Sequence, residues 1–206
     1  MVRHPEFMTV LTHSVRVLSL SQMARLWWSD TRWGRQRARQ HAMSCESQGL
    51  LHFKRVLSRP IGVLKTPLLI WRLDDDEPDW VAVSRGLRLR TRKHPVLLPV
   101  VFASRLAFDV FATSRVTPFK LTQMTHDLHV SEVFVCYQLL GLPLDSWVSE
   151  DRLPITFPSD VRPDALLVDS EGTWQRAVEY GGAYSSARLL ALRDCAAKCE
   201  VAFELW

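Results

Sequence analysis

Helical and extended periodicities sort this chain into two stretches. Residues 5–16 have helical spacing, and Met23, Ala24, Leu26 and Trp27 form one apolar face of a second short helix, capped by Ser19 or Ser21. A turn at Trp28-Ser29-Asp30-Thr31 leads into a third helix, from about residue 33 to residue 48, closed by Gly49. Residues 50–59 and 67–73 read as extended, and Pro60, Gly62 and Lys65 between them predict a wing-like hairpin. The acidic run Asp74-Asp75-Asp76-Glu77-Pro78-Asp79 lacks the Gly and the distal Glu of a calcium loop. It is expected to be a solvated turn, or the cap of the helix that follows over residues 79–92.

Residues 96–111, with Pro99 inside them, are apolar without a clean period and are expected to bridge the two stretches. Beyond them the pattern predicts a helix over 125–140, a short strand over 147–151, strands over 164–169 and 176–180, a helix over 184–198 and a last strand over 201–206. The fold class expected is α+β: a winged helix-turn-helix over residues 1–95, followed over residues 96–206 by a small α/β domain of restriction-endonuclease-like build.

Charge strengthens the division. Up to Lys120 the chain carries 20 Lys and Arg against 9 Asp and Glu, a net of +11; from Leu121 onward it carries 6 against 13, a net of −7. Clustered cations gain affinity for polyanions by displacing condensed counterions, so the basic stretch points to nucleic acid, duplex DNA first, rather than to a merely solvated face. With 47% apolar residues the chain has enough for a core, and no apolar run approaches the roughly 20 residues of a membrane-spanning helix. The opening residues show no secretory pattern, so the expected address is cytoplasmic, with no membrane partner. Cys45, Cys136, Cys195 and Cys199 are read as reduced thiols; Cys195 and Cys199 share a helix face, and core packing is favoured there over a metal.

Two clusters carry the candidate chemistry. The third helix opens with Arg32, Arg35, Gln36, Arg37, Arg39 and Gln40, side chains that reach base edges and phosphates when such a helix enters a major groove, with Lys54 and Lys65 expected to add phosphate contacts. Arg35, Arg37 and Arg39 cannot all face one way. Asp164 opens one predicted strand and Glu179 lies late on the next, which is what a two-carboxylate site for one or two magnesium ions needs. The third catalytic carboxylate is Glu132 on the preceding helix, or Glu150 or Asp151. His126 and His129 beside Asp127 are read as structural, with Thr125 as a helix cap.

These residues resemble a family. Arg32-Trp33-Gly34-Arg35, Thr125-His126-Asp127-Leu128-His129-Val130, Trp147 with Glu150-Asp151, Pro163-Asp164, Val178-Glu179-Tyr180-Gly181-Gly182 with Tyr184 and Arg188, and Glu204-Leu205-Trp206 look like the plasmid replication-relaxation type of protein. In that type a winged helix precedes a fold of the PD-(D/E)XK nuclease superfamily. The resemblance implies a DNA-binding protein of a plasmid or other mobile element. It departs in one place: the motif lysine two residues after the acid is Gly181 here, which favours a degenerate nuclease scaffold. A metal-dependent endonuclease using Asp164 and Glu179 is the alternative, and a protein-interaction module without DNA preference, including a homodimer, is the third reading.

Overall fold

The computed structural model describes residues 4–112 and 120–206 of the chain, which forms a mixed α+β structure. Two units assemble from interleaved stretches: Met1–Val63 with Pro95–Leu144, and Leu64–His94 with Asp145–Trp206. A single cut after residue 95, as expected from pattern and charge, thus gives way to three crossings. Lys and Arg against Asp and Glu number 13 to 6 in the first unit, a net of +7, and 13 to 16 in the second, a net of −3. The charge asymmetry survives, but the basic residues 85–93 belong to the acidic unit.

The first unit begins with α1 (His4–Thr9), which runs on as a π-helical turn (Val10–Ser14) before β1 (Leu18–Ser19). Then come α2 (Leu20–Trp27), α3 (Arg32–Ser47) and β2 (Leu51–Ser58). After a stretch given to the other unit, β4 (Val96–Ala103) and α5 (Arg105–Phe111) follow, then a 3-10 turn (Leu121–Gln123) and α6 (Met124–Leu139). The sheet order is β1-β4-β2, antiparallel throughout, with Leu51 opposite Ala103 and Ser58 opposite Val96. Here the expected hairpin is corrected: β2 pairs with residues 96–103, not 67–73, and the presumed bridge is a strand. Pro99 is tolerated in that middle strand because β1 covers β4 only at Val100 and Val101, leaving an open edge beside the proline that has no N–H to offer.

Val17, Val56, Val100, Met124 and Leu128 bring α6 onto the sheet. Polar side chains then fix α6 to α2. The Arg25 guanidinium lies 2.6 Å from Glu132, the Gln22 amide donates to the Leu128 carbonyl at 2.8 Å and to Glu132 at 3.2 Å, and Arg16 reaches Asp127 at 3.3 Å. Asp127 and Glu132 are both buried. Such pairs specify one docking geometry for α6 because a charge left alone there would be strongly destabilising.

The second unit contains β3 (Leu69–Trp71), α4 (Trp80–Arg90), β5 (Trp147–Ser149), β6 (Ala165–Val168), β7 (Trp174–Glu179), α7 (Ser186–Lys198) and β8 (Ala202–Leu205). Its sheet order is β3-β8-β7-β6-β5. β5, β6 and β7 form an antiparallel meander, α7 crosses over, and β8 returns parallel to β7. β3 adds an antiparallel edge, with Leu69 opposite Leu205. The core gathers Trp71, Trp80, Leu87, Phe157, Leu166, Leu189, Leu192 and Phe203. The acidic run does cap the helix after it: the Asp79 carboxylate accepts from the backbone N–H of Val81 and Ala82, both at 3.0 Å, while Glu77 pairs with Arg193 of α7 at 3.0 Å.

Candidate nucleic-acid interface and carboxylate pair

The local sequence builds α2 and α3 as a tightly joined pair. Ser19 caps α2 reciprocally, its hydroxyl accepting from Gln22 N–H at 3.2 Å while the Gln22 side chain accepts from Ser19 N–H at 2.9 Å. Thr31 caps α3 by accepting from Gly34 N–H at 3.1 Å. Gly34 is required by close approach: a Cβ there would stand 2.0 Å from the Ser29 carbonyl oxygen. With Ala38, Ala42 and Cys45 it completes the buried stripe of α3, spaced by three or four residues. Phe7 carries the packing inward, with its ring 5.1 Å from Trp27 and 5.2 Å from His41 of α3. The far end is sewn to the sheet by Phe53 N–H donating to Glu46 at 2.9 Å.

That narrow stripe leaves the rest of α3 to solvent. Arg32, Trp33, Gln36, Gln40 and Met43 lie on the side away from it, with Arg37 at one edge of that side and with Trp33 60% and Met43 52% exposed. Arg37 stacks over the Trp33 ring at 5.6 Å. Arg35 and Arg39 stand on the opposite flank: Arg35 pairs with Asp30 at 2.6 Å, and Arg39 leans over Phe53 at 6.0 Å. Lys54 is exposed on β2 of the same unit, whereas Lys65 belongs to the other unit. Trp33 and Met43 were not counted as contact residues from sequence; their spacing of three and four with Gln36, Arg37 and Gln40 is the signal that places them there.

In the second unit, Asp164 and Glu179 do come together. Ala165 is opposite Val178, so the two acids stand across from one another at adjoining strand ends. Glu179 accepts from Asp164 N–H at 3.1 Å and from the Tyr184 hydroxyl at 2.7 Å, and Asp164 accepts from Tyr180 N–H at 2.8 Å. At least three of the four carboxylate oxygens are thus engaged by the unit's own donors. Burial, then the nearby Glu179 and Asp164 charges, holds the Tyr184 hydroxyl well above its ordinary range, so it stays a donor. The Tyr184 carbonyl in turn accepts from the Ser84 hydroxyl at 2.6 Å.

Glu132 does not join this pair; it belongs to the first unit, on α6, where it meets Arg25 and Gln22. The helix preceding the strands within the second unit is α4. Among the described residues no three His, Cys, Asp or Glu form a group able to hold a metal ion. The donor set fits a clasp between β6 and β7 better than a magnesium site, which draws on carboxylate oxygens free to coordinate. At the lysine position Gly181 is packed shut: a Cβ would stand 2.6 Å from Leu87 and 3.1 Å from Leu205. Burial pushes the Cys199 thiol up to about 11 and the Cys195 thiol upward, away from the thiolate a metal takes. His129 donates from Nδ1 to the Thr125 carbonyl at 2.6 Å, a structural bond, and α6 has no side-chain cap, so Thr125 is not its cap.

No described helix is long and apolar enough to cross a membrane. No protein-family model, curated protein or solved structure matches this chain.

Proposed function

We propose that the chain is a DNA-binding protein that engages duplex DNA through the outward face of α3, carried by a winged-helix arrangement, with a second unit that is a degenerate nuclease-like scaffold. The observation that carries this reading is the α3 face itself. Arg32, Gln36 and Gln40 project from the side of the helix opposite the one anchored by α2 and β2, with Arg37 at the edge of that side, and among the described residues neither Arg32 nor Arg37 is in an ion pair. Arg and Gln on such a face have the donor geometry for guanine and adenine edges and for phosphates.

The order α2, α3, β2, β4 with β1 on the far edge of β4 supports the winged-helix half of the reading. The meander β5-β6-β7 followed by α7 and a parallel β8, with acids at the ends of β6 and β7, supports the PD-(D/E)XK half. The resemblance to the replication-relaxation type points the activity toward plasmid or mobile-element DNA. The closed position at Gly181 and the engaged carboxylates favour a scaffold over an endonuclease.

The test is titration of a labelled duplex with the full chain over a range of salt, alongside incubation of supercoiled plasmid with magnesium or chelator. Binding is expected to weaken linearly with log salt, and Arg37→Ala with Gln40→Ala to reduce affinity by about 1–3 kcal/mol per lost base contact. Absence of a shift at low salt overturns the DNA reading. Magnesium-dependent nicking overturns the scaffold reading in favour of the endonuclease.

A further inference from the structure

We infer that α4 of the second unit carries a separate phosphate-binding face for duplex DNA, formed by Arg85, Arg88, Arg92 and Lys93. The inference rests on the DNA-binding reading and adds a site outside α3.

Trp80, Ser84 and Leu87 are the buried positions of α4. Arg85 and Arg88 stand three apart on one flank of the helix, and Arg92 lies four residues further on, in the turn after it; all are exposed, as is Lys93. The stripe spans about 10 Å at the rise of an α-helix, roughly three successive phosphates of one strand measured along the duplex axis.

The unit has the acids to neutralise these cations and places them elsewhere. Its ion pairs engage Arg72 with Asp75, Arg176 with Glu204, and Arg193 with Glu77 and Asp194. Arg90, the basic residue on the other flank of α4, lies over the Tyr180 ring at 5.1 Å. Among the described residues Arg85, Arg88, Arg92 and Lys93 have neither an ion pair nor an aromatic partner. Cations near a helix C-terminus do stabilise the helix dipole, which accounts for Arg88 and Arg90, but Arg85 lies mid-helix, beyond the reach of that effect. An unpaired cluster of guanidinium groups is locally complementary to a polyanion, against the net charge of −3 that the unit carries as a whole. In sequence the stripe ends three residues before Val96, where β4 begins, and Arg59 follows directly on the end of β2.

The experiment compares the full chain with Arg85→Gln/Arg88→Gln/Arg92→Gln and with the corresponding triple Lys variant, on one labelled duplex, as affinity against salt. The Gln variant is expected to lower the log–log salt slope by about 3 and to weaken binding on the order of 100-fold near 0.1 M salt. The Lys variant is expected to keep the parent slope, since a phosphate accepts either cation; this retention separates a charge contact from a folding defect, as do matching thermal unfolding curves. Full binding and an unchanged slope in the Gln variant overturn this site while leaving the α3 reading standing. A parent chain that does not bind duplex overturns both. Displacement of the duplex by polyglutamate as readily as by unlabelled duplex at equal charge overturns the site in favour of an acidic protein partner.

Discussion

The outward face of α3 and the Asp164–Glu179 pair are both clusters of charged side chains, and they treat their hydrogen-bonding capacity in opposite ways. On α3, Arg32 and Arg37 make no ion pair among the described residues, and Arg37 lies over the Trp33 ring. Around Asp164 and Glu179 the unit's own N–H groups and the Tyr184 hydroxyl take up the acceptors. A surface that must exchange water for a ligand keeps its polar groups available, because desolvation is then offset by the ligand. A carboxylate as deeply buried as Glu179 has to be satisfied within the fold, because an unmet acceptor there costs about 1–3 kcal/mol or more. By this measure the first cluster has the character of a binding face and the second that of a brace.

The most severe way to break the comparison is at the inner side of α3. Gly34→Ala drives a methyl group into the Ser29 carbonyl, which is backbone and cannot swing aside. The expected outcome is a loss of about 3 kcal/mol or more of stability, seen in urea unfolding, with DNA affinity falling because α3 is displaced. A variant as stable as the parent shows that the turn from residue 28 to 31 yields easily, and that α3 is not held rigidly enough to present a fixed face.

A smaller effect tests the brace. Tyr184→Phe removes the hydroxyl that donates to Glu179 and is expected to destabilise the second unit by about 2 kcal/mol, the range for a hydrogen bond to a charged group. The pH dependence follows from the raised pKa of Tyr184. In the unfolded chain the phenol ionises near about 10; in the fold it ionises at higher pH. Its contribution is therefore complete below pH ~10 and declines as pH rises above that value. Unfolding at pH ~9 and pH ~11 should show the parent losing stability more steeply than Tyr184→Phe. Equal slopes sink the clasp, and they reopen the pair as a site whose acceptors await a ligand.

What was legible in the sequence was local. A cap for α2 at Ser19 or Ser21, the turn at residues 28–31, the start and stop of α3, a cap from the acidic run before α4 and the strands that carry Asp164 and Glu179 at their ends are each fixed by residues a few positions apart, and each is found close to where the spacing predicts, the two caps at Ser19 and Asp79. The partners of the strands were not legible. Ser58 finds Val96 across 37 intervening residues and Leu69 finds Leu205 near the other end of the chain, and periodicity carries no record of such distances. The same blindness put Glu132 beside Asp164: α6 precedes the meander in sequence but folds in the other unit. Pro99 added its own misdirection, since a proline in a middle strand is excluded unless a neighbouring strand stops short, as β1 does.

The smallest expected effect sharpens the boundary of the α3 face. Arg35 was grouped with Arg37 and Arg39 as a contact residue, but its guanidinium is tied to Asp30 at 2.6 Å on a flank of the helix, with both side chains nearly half exposed, 48% and 41%. An ion pair that open to water contributes about 0.5 kcal/mol, so Arg35→Ala should leave the unfolding curve almost unmoved. Its effect on duplex affinity is expected to stay below about threefold, against about tenfold for Arg37→Ala, the equivalent of ~1.4 kcal/mol. The reason is that Arg35 must first release Asp30 to reach a phosphate, and the freed carboxylate then repels the strand being approached. Titration of both variants against the same duplex measures the difference directly. Equal losses would mean that the Asp30 pair dissolves on binding, and the face of α3 would then extend across the flank to Arg39 and toward Lys54 on β2.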